Sequence, residues 1–172
     1  MKEAIKYSLI LSSICLVASA LLAGVYTLTK FRIETQAEAE IEASLKQVLP
    51  GASRFEPVPD ENGGILYYKG FDNKDKLAGI VFSAQGKGYS STIETMCGML
   101  LTGEITAIKV ISQNETPGIG TRVSEKTFAD QFAKKSIAGL SEVSAISGAT
   151  ISSKALINSV KLKAEEIKKL SR

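Results

Sequence analysis

Two short runs in this chain carry residue types that could act together: Glu115-Thr116-Pro117-Gly118-Ile119-Gly120 and Ser147-Gly148-Ala149-Thr150. In the first, Pro117 fixes its own φ and pushes Thr116 towards extended geometry. Gly118 and Gly120 allow positive φ and carry no side chain. The expected result is a strand-to-loop corner whose backbone lies flat against a ligand, with the Glu115 carboxylate and the Thr116 hydroxyl at its edge. Alone, the hexapeptide also reads as an ordinary Pro-Gly turn with a polar flank. In the second run Gly148 permits close approach, and Ser147 and Thr150 supply hydroxyls. Ser152 and Ser153 sit at the expected start of a helix, with Lys154 in its first turn. Helix N-termini present unpaired amides and a positive dipole end, so they bind phosphate. Alone, this string also reads as a plain Ser/Thr cap.

What the chain lacks narrows the chemistry. It has no histidine, which removes Ser-His-Asp and Cys-His nucleophilic sites, histidine-ligated haem and the common zinc sites. Of its two cysteines, Cys15 lies in a long apolar segment. Cys97 is left without an intrachain partner in its compartment, so no disulfide framework is expected. It is expected to pack as a small hydrophobe. No cysteine cluster or metal-ligand spacing exists, and no catalytic set of side chains stands out. A redox role would therefore rest on a bound organic cofactor. Flavin suits this, because the isoalloxazine does the chemistry and the protein supplies binding, orientation and electrostatics. The net charge of +3 comes without an aromatic-interleaved basic stripe or a reader module, so nucleic acid is not an expected partner. Lys161, Lys163, Lys168 and Lys169 alternate with Glu165 and Glu166 as on a solvated helix.

The elements that must position the two runs follow from patterning. At 172 residues the chain has room for one modest domain plus a tether. Tyr7 to Thr29 holds no charged residue, and Lys6 and Lys30 close it off. At about 1.5 Å rise per residue this stretch can cross a hydrocarbon core of about 30 Å. An uncleaved membrane anchor is the expectation. A cleaved signal peptide is the rival, with Ala18, Ala20 and Ala23 as cleavage-site candidates. Lys2 and Lys6 before the span nearly balance Lys30 and Arg32 after it, so charge decides orientation weakly. A short N-terminal tail held in the cytoplasm would put the C-terminal domain outside, as a single-pass protein of the cell membrane.

A helix is expected from about Phe31 to Leu49, ended by Pro50-Gly51, and a loop over Ala52 to Gly63, with Pro57, Pro59, Asn62 and Gly63. Ile65 to Tyr68 and Leu77 to Ser83 read as strands, and Gln85 to Tyr89 as a Gly-rich turn. Ile93 to Leu101 and Ile105 to Ser112 read as a hairpin. Ser124 or Thr127 is expected to cap a short helix carrying Phe128 and Phe132. The last helix spans about Ser153 to Leu170, with Leu156, Val160, Ala164 and Ile167 on one stripe. The fold class is α+β: a single N-terminal transmembrane helix followed by a small antiparallel sheet flanked by helices. The expected domains are an anchor over 1–29, a helical stalk over 30–50 and a ligand-binding domain over 51–172.

Taken together, Gly86-Lys87-Gly88-Tyr89, the hairpin, Glu-Thr-Pro-Gly-Ile-Gly and Ile146-Ser-Gly-Ala-Thr-Ile-Ser-Ser resemble the FMN-binding domain family. The single span and short length are similar to the Rnf-type branch of that family, and less so to the longer chains of sodium-pumping NADH:quinone reductases. The resemblance implies an FMN phosphate esterified to Thr150 by a flavin transferase, within Ser147, Gly148, Ala149 and Thr150. It implies isoalloxazine contacts from Glu115, Thr116, Gly118 and Ile119. It further implies an electron relay among the other membrane proteins of a complex that passes electrons between ferredoxin and NAD and moves sodium ions or protons. No independent catalytic activity is expected of the chain by itself. Two positions depart from the family pattern: Ser144 stands where an aspartate is usual, and Gln113 where histidine is frequent. The alternative reading is a membrane-anchored assembly or ligand-binding module without a redox role.

Overall fold

The computed structural model describes residues 2–60 and 63–170, so Asn62 of the expected loop lies outside the described residues. Helix α1 (Lys2–Val48) runs 47 residues without a break, so the anchor and the following helix read from the sequence are one element. Two compact units divide the chain, Met1–Glu42 and Ala43–Arg172. In the first, every side chain from Ile5 to Ile33 is exposed. By length and composition α1 holds one stretch able to cross a membrane.

The second unit is built on a five-stranded antiparallel sheet in the order β1-β2-β3-β4-β5. The strands are β1 (Arg54–Pro59), β2 (Ile65–Phe71), β3 (Leu77–Lys87), β4 (Thr92–Leu100) and β5 (Ile105–Ser112). Strands β3 and β4 are buried on both faces. Ile80, Phe82 and Ala84 point into the main core, while Val81 between them joins a second cluster with Leu45, Val48, Leu49, Ala52 and Met96. This alternation is the period-two geometry of a strand. The second cluster is closed by the last turn of α1. Lys109 Nζ donates to Ser44 Oγ at 2.9 Å, and Thr106 Oγ1 donates to the Val48 carbonyl.

Helix α3 (Thr150–Leu170) covers the main core. Leu156, Val160, Ala164 and Ile167 are fully buried, the stripe its spacing predicts. The approach to β3 is close: a Cβ on Gly86 would lie 2.5 Å from the Ala155 carbonyl oxygen. Gly86 and Lys87 are therefore strand residues, and the expected Gly-rich turn begins only at Gly88, where Gly88 N donates to Ser91 O at 2.8 Å.

Three other elements differ from expectation. The expected loop holds β1, which pairs only with β2. An edge strand tolerates Pro57 and Pro59 because one side of it has no ladder to complete. Helix α2 (Lys126–Ala129) is a single turn whose N-cap is Glu125, with no side-chain capping bond, so neither Ser124 nor Thr127 caps it. Its Phe128 stacks edge-on with Phe132 at 5.5 Å between centroids. Helix α3 starts at Thr150, ahead of the expected Ser153, because Ser153 N already donates to Ala149 O at 2.9 Å as a helical bond.

Candidate functional site

Both motifs fold as tight turns with glycine in third position. In the first, Ile119 N donates to Thr116 O at 3.2 Å, with Gly118 at φ 74°. In the second, Ala149 N donates to Ile146 O at 3.0 Å, with Gly148 at φ 84°. Positive φ in third position is the requirement of a type II turn, and Pro117 in second position completes that signature in the first. The first turn is tightened by Gly118 N donating to Thr121 Oγ1 at 3.0 Å. The second is locked to α3 by Ser153, whose hydroxyl accepts from Ile146 N at 3.1 Å and donates to Ala149 O at 2.9 Å.

The two turns meet at one cavity of about 500 Å³. The first motif contributes Glu115, Thr116, Ile119 and Gly120, and the second contributes Gly148, Ala149 and Thr150, continued by Ile151 and Ser152. Tyr89, from the turn between β3 and β4, completes the lining. Gly118 and Ser147, expected at the site, are exposed and lie outside that lining. Thr150 is exposed at the first position of α3. The amides of Thr150, Ile151 and Ser152 precede the first residue able to donate within the helix, so this end of the cavity carries the positive end of the helix dipole. Lys154 is exposed in the same turn.

Glu115 is 4% exposed. Its Oε1 accepts from Ser90 N at 2.9 Å, Ser91 N at 2.8 Å and Ser91 Oγ at 3.3 Å. Its Oε2 accepts from Tyr89 N at 3.2 Å and Ser152 Oγ at 2.5 Å. Burial works to raise the carboxyl pKa, but the Ser152 hydroxyl and the amides of Ser91, Ser90 and Tyr89 together hold it below its ordinary value. Two glycines make room for the carboxylate. A Cβ on Gly88 would lie 2.6 Å from Oε1, and one on Gly120 would lie 2.8 Å from Oε2. Gln113, at the position that departs from the family pattern, accepts from Glu115 N through Oε1 at 2.7 Å. Ser144 exchanges bonds with Gln131, its amide donating to Oε1 at 3.0 Å.

Sequence reasoning does not assign Tyr89, Gly120, Ile151 or Ser152 to the site. The only signal for Tyr89 is an aromatic residue after a Gly-x-Gly run. Cys97 is fully buried, and burial pushes its thiol pKa up. Among the described residues no group of three His, Cys, Asp or Glu side chains is placed to hold a metal.

Comparison with known proteins places this geometry in a family. A family model described as FMN-binding domain matches residues 88–165, the stretch that contains both motifs, and one described as RnfG N-terminal region matches residues 1–48. The chain is 36% identical to the G subunit of an ion-translocating oxidoreductase complex from Methanosarcina acetivorans, over 92% of each chain. It is 29% identical to the G subunit of a Na(+)-translocating ferredoxin:NAD(+) oxidoreductase complex from Acetobacterium woodii, over 99% of this chain and 95% of the relative. The corresponding G subunit of a proton-translocating ferredoxin:NAD(+) oxidoreductase complex from Clostridium ljungdahlii is 29% identical, over 89% and 85%. In fold, the chain is similar to the crystal structure of NqrC, from the Na(+)-translocating NADH-quinone reductase, of Parabacteroides distasonis. The TM-score is 0.56 at 18% identity, over 78% of this chain and 84% of that one. NqrC of Shewanella oneidensis gives a TM-score of 0.51 at 21% identity, over 65% of each chain. With that identity to the Methanosarcina relative along nearly its whole length, and both family models in their order, this chain belongs to the RnfG family.

Proposed function

We propose that this chain is a membrane-anchored electron-transfer subunit of an ion-translocating oxidoreductase complex, and that it carries FMN as a phosphoester on Thr150. The observation that carries the reading is the single cavity in which the exposed Thr150 hydroxyl, the opening amides of α3 and the Thr116–Gly120 corner come together. Its volume of about 500 Å³ falls within the range of about 300–1,000 Å³ usual for small-ligand sites. The residues present suit a flavin nucleotide. Tyr89, Ile119, Ala149 and Ile151 offer apolar surface, Thr116 offers a hydroxyl at the edge, and the α3 terminus offers amide donors and a positive dipole end for a phosphate.

When bound, FMN supplies one- and two-electron redox chemistry that the side chains of this protein lack. The chain's own residues orient and retain it. Thr150 is exposed, so a flavin transferase can reach its hydroxyl, and a phosphoester there leaves the ring to be tuned by the cavity alone. Helix α1 tethers the domain to the bilayer, with the domain on the extracytoplasmic side, and keeps the relay at high effective concentration beside the other membrane proteins of the complex. The relatives' names give the chemistry on either side of the relay: electrons pass between ferredoxin and NAD, coupled to translocation of Na+ or protons.

The test is in-gel flavin fluorescence of the denatured full chain, co-expressed with a flavin transferase, beside Thr150→Ala. A fluorescent band that disappears in Thr150→Ala supports the phosphoester. A dark wild-type band would favour an anchored assembly module without a redox role.

A further inference from the structure

We propose that Glu115 is a positioning residue that holds Tyr89 as the aromatic wall of the cavity that Thr150 also lines, and that Tyr89 stacks on the ring system of the bound flavin. The inference rests on the flavin reading above. Tyr89 is 73% exposed and lines the cavity. A single exposed tyrosine ordinarily needs no explanation. Here, however, the backbone beneath it is held by a buried charge. Three consecutive amides, Tyr89, Ser90 and Ser91, converge on the Glu115 carboxylate. Successive backbone amides of this kind form an anion-binding concavity, and this one is filled from within the chain. The same carboxylate takes the Ser152 hydroxyl from the first turn of α3 at 2.5 Å. One acceptor thus joins the turn that carries Tyr89 to the helix end that carries Thr150.

The donor count decides between contact and positioning. An ionised carboxylate has about four lone-pair sites, and Glu115 already receives five donors from within the chain. A flavin N–H would have to displace one of them. Glu115 therefore acts through Tyr89 and Ser152. Tyr89, with a large π-face and no need to bury its hydroxyl, is suited to offset stacking on a planar heteroaromatic ring.

The experiment compares flavin fluorescence of the native full chain, in detergent and co-expressed with a flavin transferase, with that of the denatured gel band. A stacked tyrosine quenches flavin emission by donating an electron to the excited ring, and tryptophan does the same. Expected are gel bands of equal intensity throughout, with native fluorescence severalfold higher in Tyr89→Ala and still quenched in Tyr89→Trp. Glu115→Gln, which keeps Tyr89 but halves the acceptors under its turn, should brighten by a smaller factor. Tyr89→Ala combined with Glu115→Gln should be no brighter than Tyr89→Ala alone. If Glu115→Gln does not fold, Ser91→Ala, which deletes only the hydroxyl bond to Oε1, should brighten in the same direction. Equal native fluorescence in wild type and Tyr89→Ala, with bright gel bands, would overturn the stacking. Brightening in Tyr89→Ala but not in Glu115→Gln or Ser91→Ala would overturn the positioning. A dark wild-type gel band would instead remove the flavin reading itself.

Discussion

The turns Thr116–Ile119 and Ile146–Ala149 share a backbone plan but differ in what they attach to it. Each closes with one amide-to-carbonyl bond, 3.2 and 3.0 Å, over a glycine at φ 74° or 84°. The first is preceded by Glu115, whose charge points inward and is 4% exposed. The second is followed by Thr150, whose side chain sits at the surface on the first turn of α3. The contrast follows from physics. A carboxylate that must organise three segments works best where water does not compete for its donors. A hydroxyl that another enzyme must modify has to stay within reach of solvent. One turn builds the wall, and the other presents the attachment point.

Breaking each turn should therefore fail in a different way. The largest effect is expected at Thr150. Thr150→Ala should abolish the fluorescent band in a denaturing gel while far-UV circular dichroism stays unchanged, because the side chain is exposed. A band that persists would move the attachment point elsewhere. Next is Glu115→Gln, expected to destabilise the folded domain by about 2–3 kcal/mol, since a neutral amide cannot satisfy donors arranged for a charged acceptor. Denaturant titration of the full chain in detergent measures this, and an unchanged midpoint would refute the organising role.

The same residue predicts a pH dependence. The folded Glu115 pKa is held below its ordinary value, so the folded state binds fewer protons than the unfolded chain as the pH falls through the carboxylate range. Its contribution to stability is complete above the unfolded pKa and is lost as the pH drops through the lower folded one. Wild type should weaken in that acidic window, and Glu115→Gln should lose less there. Parallel curves for the two proteins would contradict the shift.

The glycines sharpen the comparison at smaller scale. Gly120→Ala places a Cβ against the Glu115 side chain, 2.7 Å from its Cβ, and overpacking of this kind costs about 1–3 kcal/mol. Gly118→Ala and Gly148→Ala meet no atom within 4 Å, so only their left-handed φ opposes them, at about 1–2 kcal/mol. Thermal unfolding separates the two causes. Re-enlarging the space with Glu115→Asp should relieve Gly120→Ala and leave Gly148→Ala unchanged.

Much of the fold is legible in the chain, and the exceptions have identifiable causes. Strands β2 to β5 announce themselves through β-branched and aromatic runs. Leu156, Val160, Ala164 and Ile167 announce the buried face of α3. Strand β1 is hidden by Pro57 and Pro59, which are tolerable only because its outer edge is unpaired, and edge position is a property of the assembled sheet. The Gln85–Tyr89 run reads as one turn because glycine signals flexibility. In the fold, Gly86 serves instead to let the α3 backbone approach β3. At the site, the two glycine turns and Thr150 are legible, but Tyr89 and Ser152 are not. Nothing local to Tyr89 says that its turn hangs on a glutamate from beyond the next hairpin.

Local chemistry thus determined the apolar N-terminal helix, the strand and helix periods, the two positive-φ turns and the absence of any histidine-based chemistry. These depend on φ/ψ preference, side-chain polarity and residue type within a few positions. Tertiary structure alone decided that both turns open onto one cavity, that Tyr89 joins them, and that Glu115 looks inward to five donors and not outward. Those outcomes depend on which distant backbone amides converge on a single buried charge, and only the closed sheet with α3 packed across it brings them there.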